Sequence, residues 1–215
     1  LSNINGKKVL IIGDSHAGNV ANALSETGFS NKNYVSWLII FASCDIIISD
    51  SKVKIPEHSE EICKKQHTTL SQLNNLKFYD LIILASSWQG QGVMNMEETI
   101  SKLNERGALD KDIIIIASKY VTNSGLDVLG RVNSSNINEG RLVLPLEHSV
   151  KINNQFIKMG LDVNVIYPLK YFCVNDHKCR VLDDDGYILN YDEGHLTPKG
   201  AAFFGERLAA DLEYD

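Results

Sequence analysis

At 215 residues the chain suits one α/β domain with an ample core, and 44% hydrophobic with 22% charged residues is the balance of a soluble globular protein. A net charge of −6, with both signs interspersed and no basic stripe interleaved with aromatics, argues against a nucleic-acid partner. No apolar run reaches the roughly 20 residues of a bilayer span. The opening LSNINGKK has neither the apolar core nor the cleavage site of a signal peptide, and so abrupt a start fits a mature protein or a piece of a longer one.

In chain order, five β-rich apolar runs stand out: KVLII (8–12), YVSWLIIF (34–41), DLIILA (80–85), DIIIIA (112–117) and DVNVIY (162–167). They are mostly unbroken rather than alternating, the pattern of parallel strands buried on both faces. Helical spacing fills the intervals at 17–27, about 59–74, about 95–107 and about 147–160. A last helix, 198–213, starts with proline in its first turn. Alternation of this kind predicts a doubly wound, three-layer α/β/α fold around a five-stranded parallel sheet, with the strands' C-terminal ends on one edge. Two long loops interrupt it, Ala42 to about Pro56 and Lys119 to about Leu144, of the length that is more often functional than incidental. CRVLDDDGYILNYD reads as a small hairpin around an Asp-Gly turn.

Cys44, Cys63, Cys173 and Cys179 can pair in three ways, and spacing alone does not choose. Cys173 and Cys179 bracket a polar loop, VNDHK, that a local disulfide would close, and Cys44 and Cys63 bracket another segment without strong pattern. There is no C-x-x-C spacing for zinc. Two disulfides in an oxidising compartment are expected.

The chemistry concentrates at two places. GDSH (13–16) follows the first strand and opens the first helix, so Ser15 stands at the carboxyl edge of the sheet. Backbone N–H groups of the first helical turn face the same spot, where unpaired donors and the positive dipole end stabilise an oxyanion. Serine is a weak nucleophile and needs a base with an orienting carboxylate. YDEGHLTPKGA (191–201) supplies both: Asp192 three residues before His195, one tight turn from imidazole Nδ1, just ahead of the final helix. Asp14 reads as a structural residue holding the nucleophile loop.

IIGDSH together with DEGHLTPKGA resembles the SGNH (GDSL-type) hydrolase superfamily across nearly the whole chain. More narrowly, four features resemble the SGNH domain attached to membrane acyltransferase-3 proteins: G-D-S-H, a Trp after the third strand, a Cys pair before D-x-x-H, and HLT..GA after it. That resemblance implies a single domain over 1–215, C-terminal in a longer membrane protein, periplasmic and tethered to the inner membrane through an N-terminal transmembrane region. It implies Ser15 as nucleophile, His195 as general base and Asp192 as its orienter. It also implies an acetyl donor delivered by the membrane acyltransferase part, a polysaccharide acceptor such as lipopolysaccharide O-antigen, and no cofactor or metal.

The sequence departs from the superfamily at its second and third blocks. No glycine follows strand two before Gly90, so Ser43 or Cys44 must supply any backbone donor there. Block three reads Ser86-Ser87-Trp88-Gln89 with no asparagine, so either Ser87, Trp88 or Gln89 takes its place or the hole rests mainly on the Ser15 N–H. Loss of one such donor costs on the order of 3 kcal/mol elsewhere. Trp88 either stacks on a sugar ring at the site rim or caps the core. His16 either contacts substrate at the site mouth or packs. His58, His67, His148 and His177 read as surface residues, and Asp183-Asp184-Asp185 as a solvated turn rather than a cation loop. Three functions follow: O-acetyl transfer through an acyl-serine, a free-standing carbohydrate O-acetylesterase, or a catalytically silent carbohydrate-binding domain.

Overall fold

The computed structural model describes residues 6–49, 55, 57–109, 112–131, 142–175 and 178–213. The five apolar runs form β1 (Lys8–Gly13), β2 (Tyr34–Ile39), β3 (Leu81–Ala85), β4 (Ile113–Ile116) and, after the short β5 (Leu142–Val143), β6 (Asn164–Ile166). The order β2-β1-β3-β4-β6 is parallel throughout. Counting this sheet's strands alone, that is 2-1-3-4-5, the flavodoxin-like doubly wound order, so the expected α/β fold is observed.

β1 from Val9 on, β3 and β4 are buried residue by residue, as their unbroken Ile, Leu and Val content requires. β2 departs from the expectation. Among the described residues it pairs only with β1, at one edge of the sheet, and Tyr34, Trp37, Ile39 and the following Phe41 are exposed. Its apolar side chains resemble a central strand's in sequence, but its position leaves it half uncovered.

The chain divides into two compact units: Leu1–Gly18, Lys32–Ala117 and Ile152–Ile166 form the first, and Asn19–Asn31, Ser118–Lys151 and Tyr167–Asp215 the second. The first holds the parallel sheet. α1 (Ser15–Glu26) starts in it and continues into the second; α2 (Phe29–Lys32) is a single turn. α3 (Glu60–Ser71), α4 (Gly90–Met94) and α5 (Met96–Glu105) complete the first unit. α5 buries Met96, Thr99, Ile100 and Leu103, the i, i+3, i+4, i+7 stripe of an amphipathic helix. A disulfide joins Cys44 to Cys63 of α3.

In the second unit, α6 (Gly125–Arg131) lies inside the stretch expected as loop between Lys119 and Leu144, of which 132–141 fall outside the described residues. α7 (Glu147–Met159) crosses from this unit into the first, and α8 (Leu169–Phe172) follows. A three-stranded antiparallel sheet of order β5-β8-β7, with β7 Cys173–Asn175 and β8 Lys178–Arg180, was not expected from the sequence. Its hairpin carries the second disulfide, Cys173–Cys179. Val121, Val128, Val143, Cys179, Val181 and Leu182 form this unit's apolar cluster. The expected Asp-Gly hairpin is present as an isolated bridge, Leu182 to Ile188, rather than as strands, and another bridge, Asn190 to Leu196, encloses the turn of Asp192 and His195.

The last helix, α9 (Pro198–Glu213), buries Ala201, Phe204, Leu208 and Leu212. Thr197 caps it, its Oγ accepting from the Gly200 N–H at 3.0 Å. A Cβ at Gly200 would lie 1.9 Å from the Leu189 carbonyl oxygen, so this helix start admits no side chain there.

Candidate active site

Ser15 is exposed at the first position of α1, directly after β1. The turn is fixed by Asp14, which is 1% exposed. Its Oδ1 accepts the His16 N–H at 2.8 Å, the bond of a helix N-cap. Its Oδ2 accepts the Ser87 N–H at 2.8 Å and the Ser86 hydroxyl at 3.1 Å, tying the end of β1 to the end of β3. Ser87 Oγ in turn donates to the Ala42 carbonyl at 3.1 Å, just past β2. Gly13 permits the approach: a Cβ on it would sit 1.6 Å from the Ala85 carbonyl oxygen. Asp14 therefore has the structural role expected of it.

The second unit holds the other element. His195 Nδ1 and Asp192 Oδ2 are 2.7 Å apart. Asp192 Oδ1 accepts the N–H groups of Gly194 at 2.8 Å and His195 at 2.7 Å, so one carboxylate closes the tight turn and orients the ring. Burial, the largest influence, would raise the Asp192 carboxyl, but the Gly194 N–H, the His195 ring and the His195 N–H together hold it below the ordinary range. Tyr191 lies nearly parallel to the imidazole, with centroids 5.6 Å apart and 14° between planes.

Two further residues grip this loop, and the sequence reading missed both. Asn19 of α1 donates from Nδ2 to the Gly194 carbonyl at 3.2 Å and accepts the Leu196 N–H on Oδ1 at 3.1 Å. Lys119 is only 5% exposed and its Nζ donates to the same Gly194 carbonyl. Burial pushes its ammonium from the usual 10.5 down to about 7, against the opposing pull of the Asp192 charge. The available signal was a lysine placed right after the fourth apolar run, at the sheet edge where α/β sites gather.

Other expected site residues need correction. Trp88 has no exposed surface; its indole N–H donates to the Ile116 carbonyl at 2.7 Å and its ring meets Phe156 edge-on at 5.5 Å. It caps the core, at a positive φ of 30°, and does not stack on sugar at a rim. His16 is 7% exposed and packs instead of lining a mouth. The backbone N–H of Cys44 donates to Phe41, that of Ser87 to Asp14 and that of Gln89 to Asp45. The Cys44 N–H and the Ser87 hydroxyl thus already serve protein acceptors. Asp45 organises that region, accepting also from the Gly92 N–H at 2.8 Å. The Gln89 side chain is exposed, and the Ser43 side chain lies outside the described residues.

Among the histidines, His67 is half-buried, its Nε2 bonded to the Cys44 carbonyl at 2.9 Å, and His148 is half-buried as well. The His58 side chain and His177 lie outside the described residues. Asp183 accepts the N–H groups of Asp185 and Tyr187, as a turn aspartate does. No group of three His, Cys, Asp or Glu side chains suited to a metal occurs among the described residues, and no described helix is long and apolar enough to cross a membrane.

The family model of the SGNH domain (fused to AT3 domains) matches residues 2–210. Among curated proteins no sequence matches the chain. Of solved structures, the lipopolysaccharide acetyltransferase periplasmic domain of Salmonella ser. Paratyphi A aligns over 98% of this chain and 85% of its own, with 18% identity and a TM-score of 0.65. The C-terminal catalytic domain of Streptococcus pneumoniae peptidoglycan O-acetyltransferase A, solved with a methylsulfonyl adduct, aligns over 97% and 94% with 9% identity and a TM-score of 0.39.

Proposed function

The chain belongs to the family of SGNH domains that are fused to AT3 domains, and on that premise we propose that it transfers an acetyl group to a bacterial surface polysaccharide through an acetyl-serine on Ser15. The observation that carries the reading is the 2.7 Å bond between His195 Nδ1 and Asp192, in the loop that precedes the last helix. Ser15 at the N-terminus of α1 supports it, as does Asn19, four residues on in that helix, which is bonded to residues on either side of His195. The reading requires Ser15 Oγ to come within bonding reach of His195 Nε2.

In this mechanism Ser15 Oγ attacks the acetyl carbonyl of the donor while His195 Nε2 takes the hydroxyl proton. The Asp192 carboxylate stabilises the imidazolium and remains ionised. The tetrahedral oxyanion faces the N–H groups opening α1, with the Ser15 N–H as principal donor and the Ser43 backbone and Gln89 side chain as further contacts. Collapse breaks the bond to the leaving alkoxide, which receives the proton from His195 and leaves acetyl-Ser15. A sugar hydroxyl of the acceptor then gives its proton to His195, attacks the acetyl carbon and takes it from Ser15, whose alkoxide regains the proton. No cofactor enters. The donor side belongs to the AT3 domain, and the whole works in the periplasm, tethered to the membrane through that domain.

With water in place of the sugar, the same intermediate gives an acetylesterase, so the isolated chain should hydrolyse a small acetyl ester such as p-nitrophenyl acetate. Replacing Ser15 or His195 by Ala should lower kcat by at least about 10³-fold. Wild-type turnover in Ser15→Ala would overturn the reading. Adding an oligosaccharide acceptor separates transfer from hydrolysis: acetylated sugar in the product supports transfer, and acetate alone supports the esterase.

A further inference from the structure

Lys119 is a buried cation that the proposed chemistry does not use. The chain around it is held at several points: the Tyr120 N–H donates to Ser149 Oγ at 2.9 Å, Ser118 and Ser149 hydroxyls lie 2.6 Å apart, and the Val121 N–H donates to the Glu193 carbonyl at 3.0 Å. A fixed backbone thus delivers the ammonium to the Gly194 carbonyl, in the turn between Asp192 and His195. Asn19 bonds the same carbonyl from α1. Burying an ammonium among neutral groups opposes folding, and a methionine of similar length would fill the space without that cost. The amine is therefore useful through what it holds, and that is the Gly194 carbonyl.

We propose that Lys119 is a positioning residue for acetyl transfer: it fixes the Gly194 carbonyl, so that the D-x-x-H loop keeps the His195 ring in one orientation for the Ser15 proton. The proposal rests on the acetyl-serine reading. At 5% exposure Lys119 does not touch substrate; it acts through the loop. In either protonation state its amine retains an N–H for Gly194, and Asn19 and the Val121 N–H keep the loop folded when the lysine is replaced.

The test uses Lys119→Met and Lys119→Arg in the whole chain, with p-nitrophenyl acetate as substrate. Lys119→Met should lose about 10- to 100-fold in kcat, the scale of a misplaced catalytic group, with KM within about twofold. Its Tm should equal or exceed that of the wild type, and Lys119→Arg should recover part of the lost kcat. The proposal is overturned if Lys119→Met keeps kcat within about twofold of wild type, or if its kcat falls only in step with its Tm. Ser15→Ala separates the two readings. Full activity there removes the acetyl-serine, whereas an inactive Ser15→Ala beside a fully active Lys119→Met removes only the lysine's role.

Discussion

Replacing Asp14 by Asn keeps its shape and removes its charge, which isolates what the carboxylate does for the nucleophile turn. The carboxylate accepts three hydrogen bonds: His16 N–H on Oδ1 at 2.8 Å, and Ser87 N–H at 2.8 Å with Ser86 Oγ at 3.1 Å on Oδ2. An amide has one oxygen, so its NH₂ must face at least one donor. Turning the NH₂ toward His16 is the lesser loss: one bond goes and two fall from charge-assisted to neutral strength. With about 2 kcal/mol for the lost bond and about 1 for each weakened one, less what is regained by burying no charge, the net cost is about 3 kcal/mol. For a chain of this size that lowers Tm by about 6–12 °C, read by circular dichroism. Asp14 reaches Ser15 only through the backbone, so kcat on p-nitrophenyl acetate, measured below the transition, should fall by no more than about tenfold. A Tm within about 2 °C of wild type would refute the hydrogen-bond reasoning. A kcat loss as large as that of Ser15→Ala, with Tm intact, would make Asp14 a chemical group rather than a structural one.

Gly13→Ala drives a Cβ to 1.6 Å from the Ala85 carbonyl oxygen, so it should abolish soluble expression or cost more than about 4 kcal/mol; a well-folded variant would contradict that geometry. Trp88→Phe leaves the Ile116 carbonyl without its 2.7 Å donor and should cost about 1–3 kcal/mol in urea titration, with KM for a sugar acceptor unchanged. A raised KM at wild-type stability would instead favour a stacking role. The lysine at 119 titrates near 7 in the folded chain against the usual 10.5 unfolded, so between those values the unfolded chain holds more protons and stability rises with pH. The slope is at most about 1.4 kcal/mol per unit, and Lys119→Met should flatten it; equal slopes in both proteins would contradict this. Removing the Cys173–Cys179 bridge, which spans 6 residues, should cost about 2 kcal/mol and removing Cys44–Cys63, which spans 19, about 3, by denaturant titration.

The parallel sheet was legible because Ile82–Leu84 and Ile113–Ile116 have no polar interruption, and only a strand buried on both faces tolerates that. Tyr34 to Ile39 look alike in sequence but sit at an edge, since apolar content reports preference for a sheet and not the number of neighbours. The small antiparallel sheet escaped notice because strands of two or three residues carry no period. Ser15 stood out because it opens α1 directly after β1, and Asp192 with His195 because D-x-x-H shortly precedes the last helix. Trp88 was ambiguous, and its burial depends on Phe156, far away in sequence. Asn19 was invisible for the same reason, and Lys119 showed only its place at the sheet edge: what they hold is the carbonyl of Gly194, and no local pattern encodes a contact across 75 or 175 residues.

The most direct measurement is the site of covalent capture. Incubating the chain with methanesulfonyl fluoride and mapping the modified peptide should place the adduct on Ser15, with labelling abolished in His195→Ala and slowed in Asp192→Asn. An adduct confined to another residue, or a Ser15 left unmodified while ester turnover stops, would contradict the account.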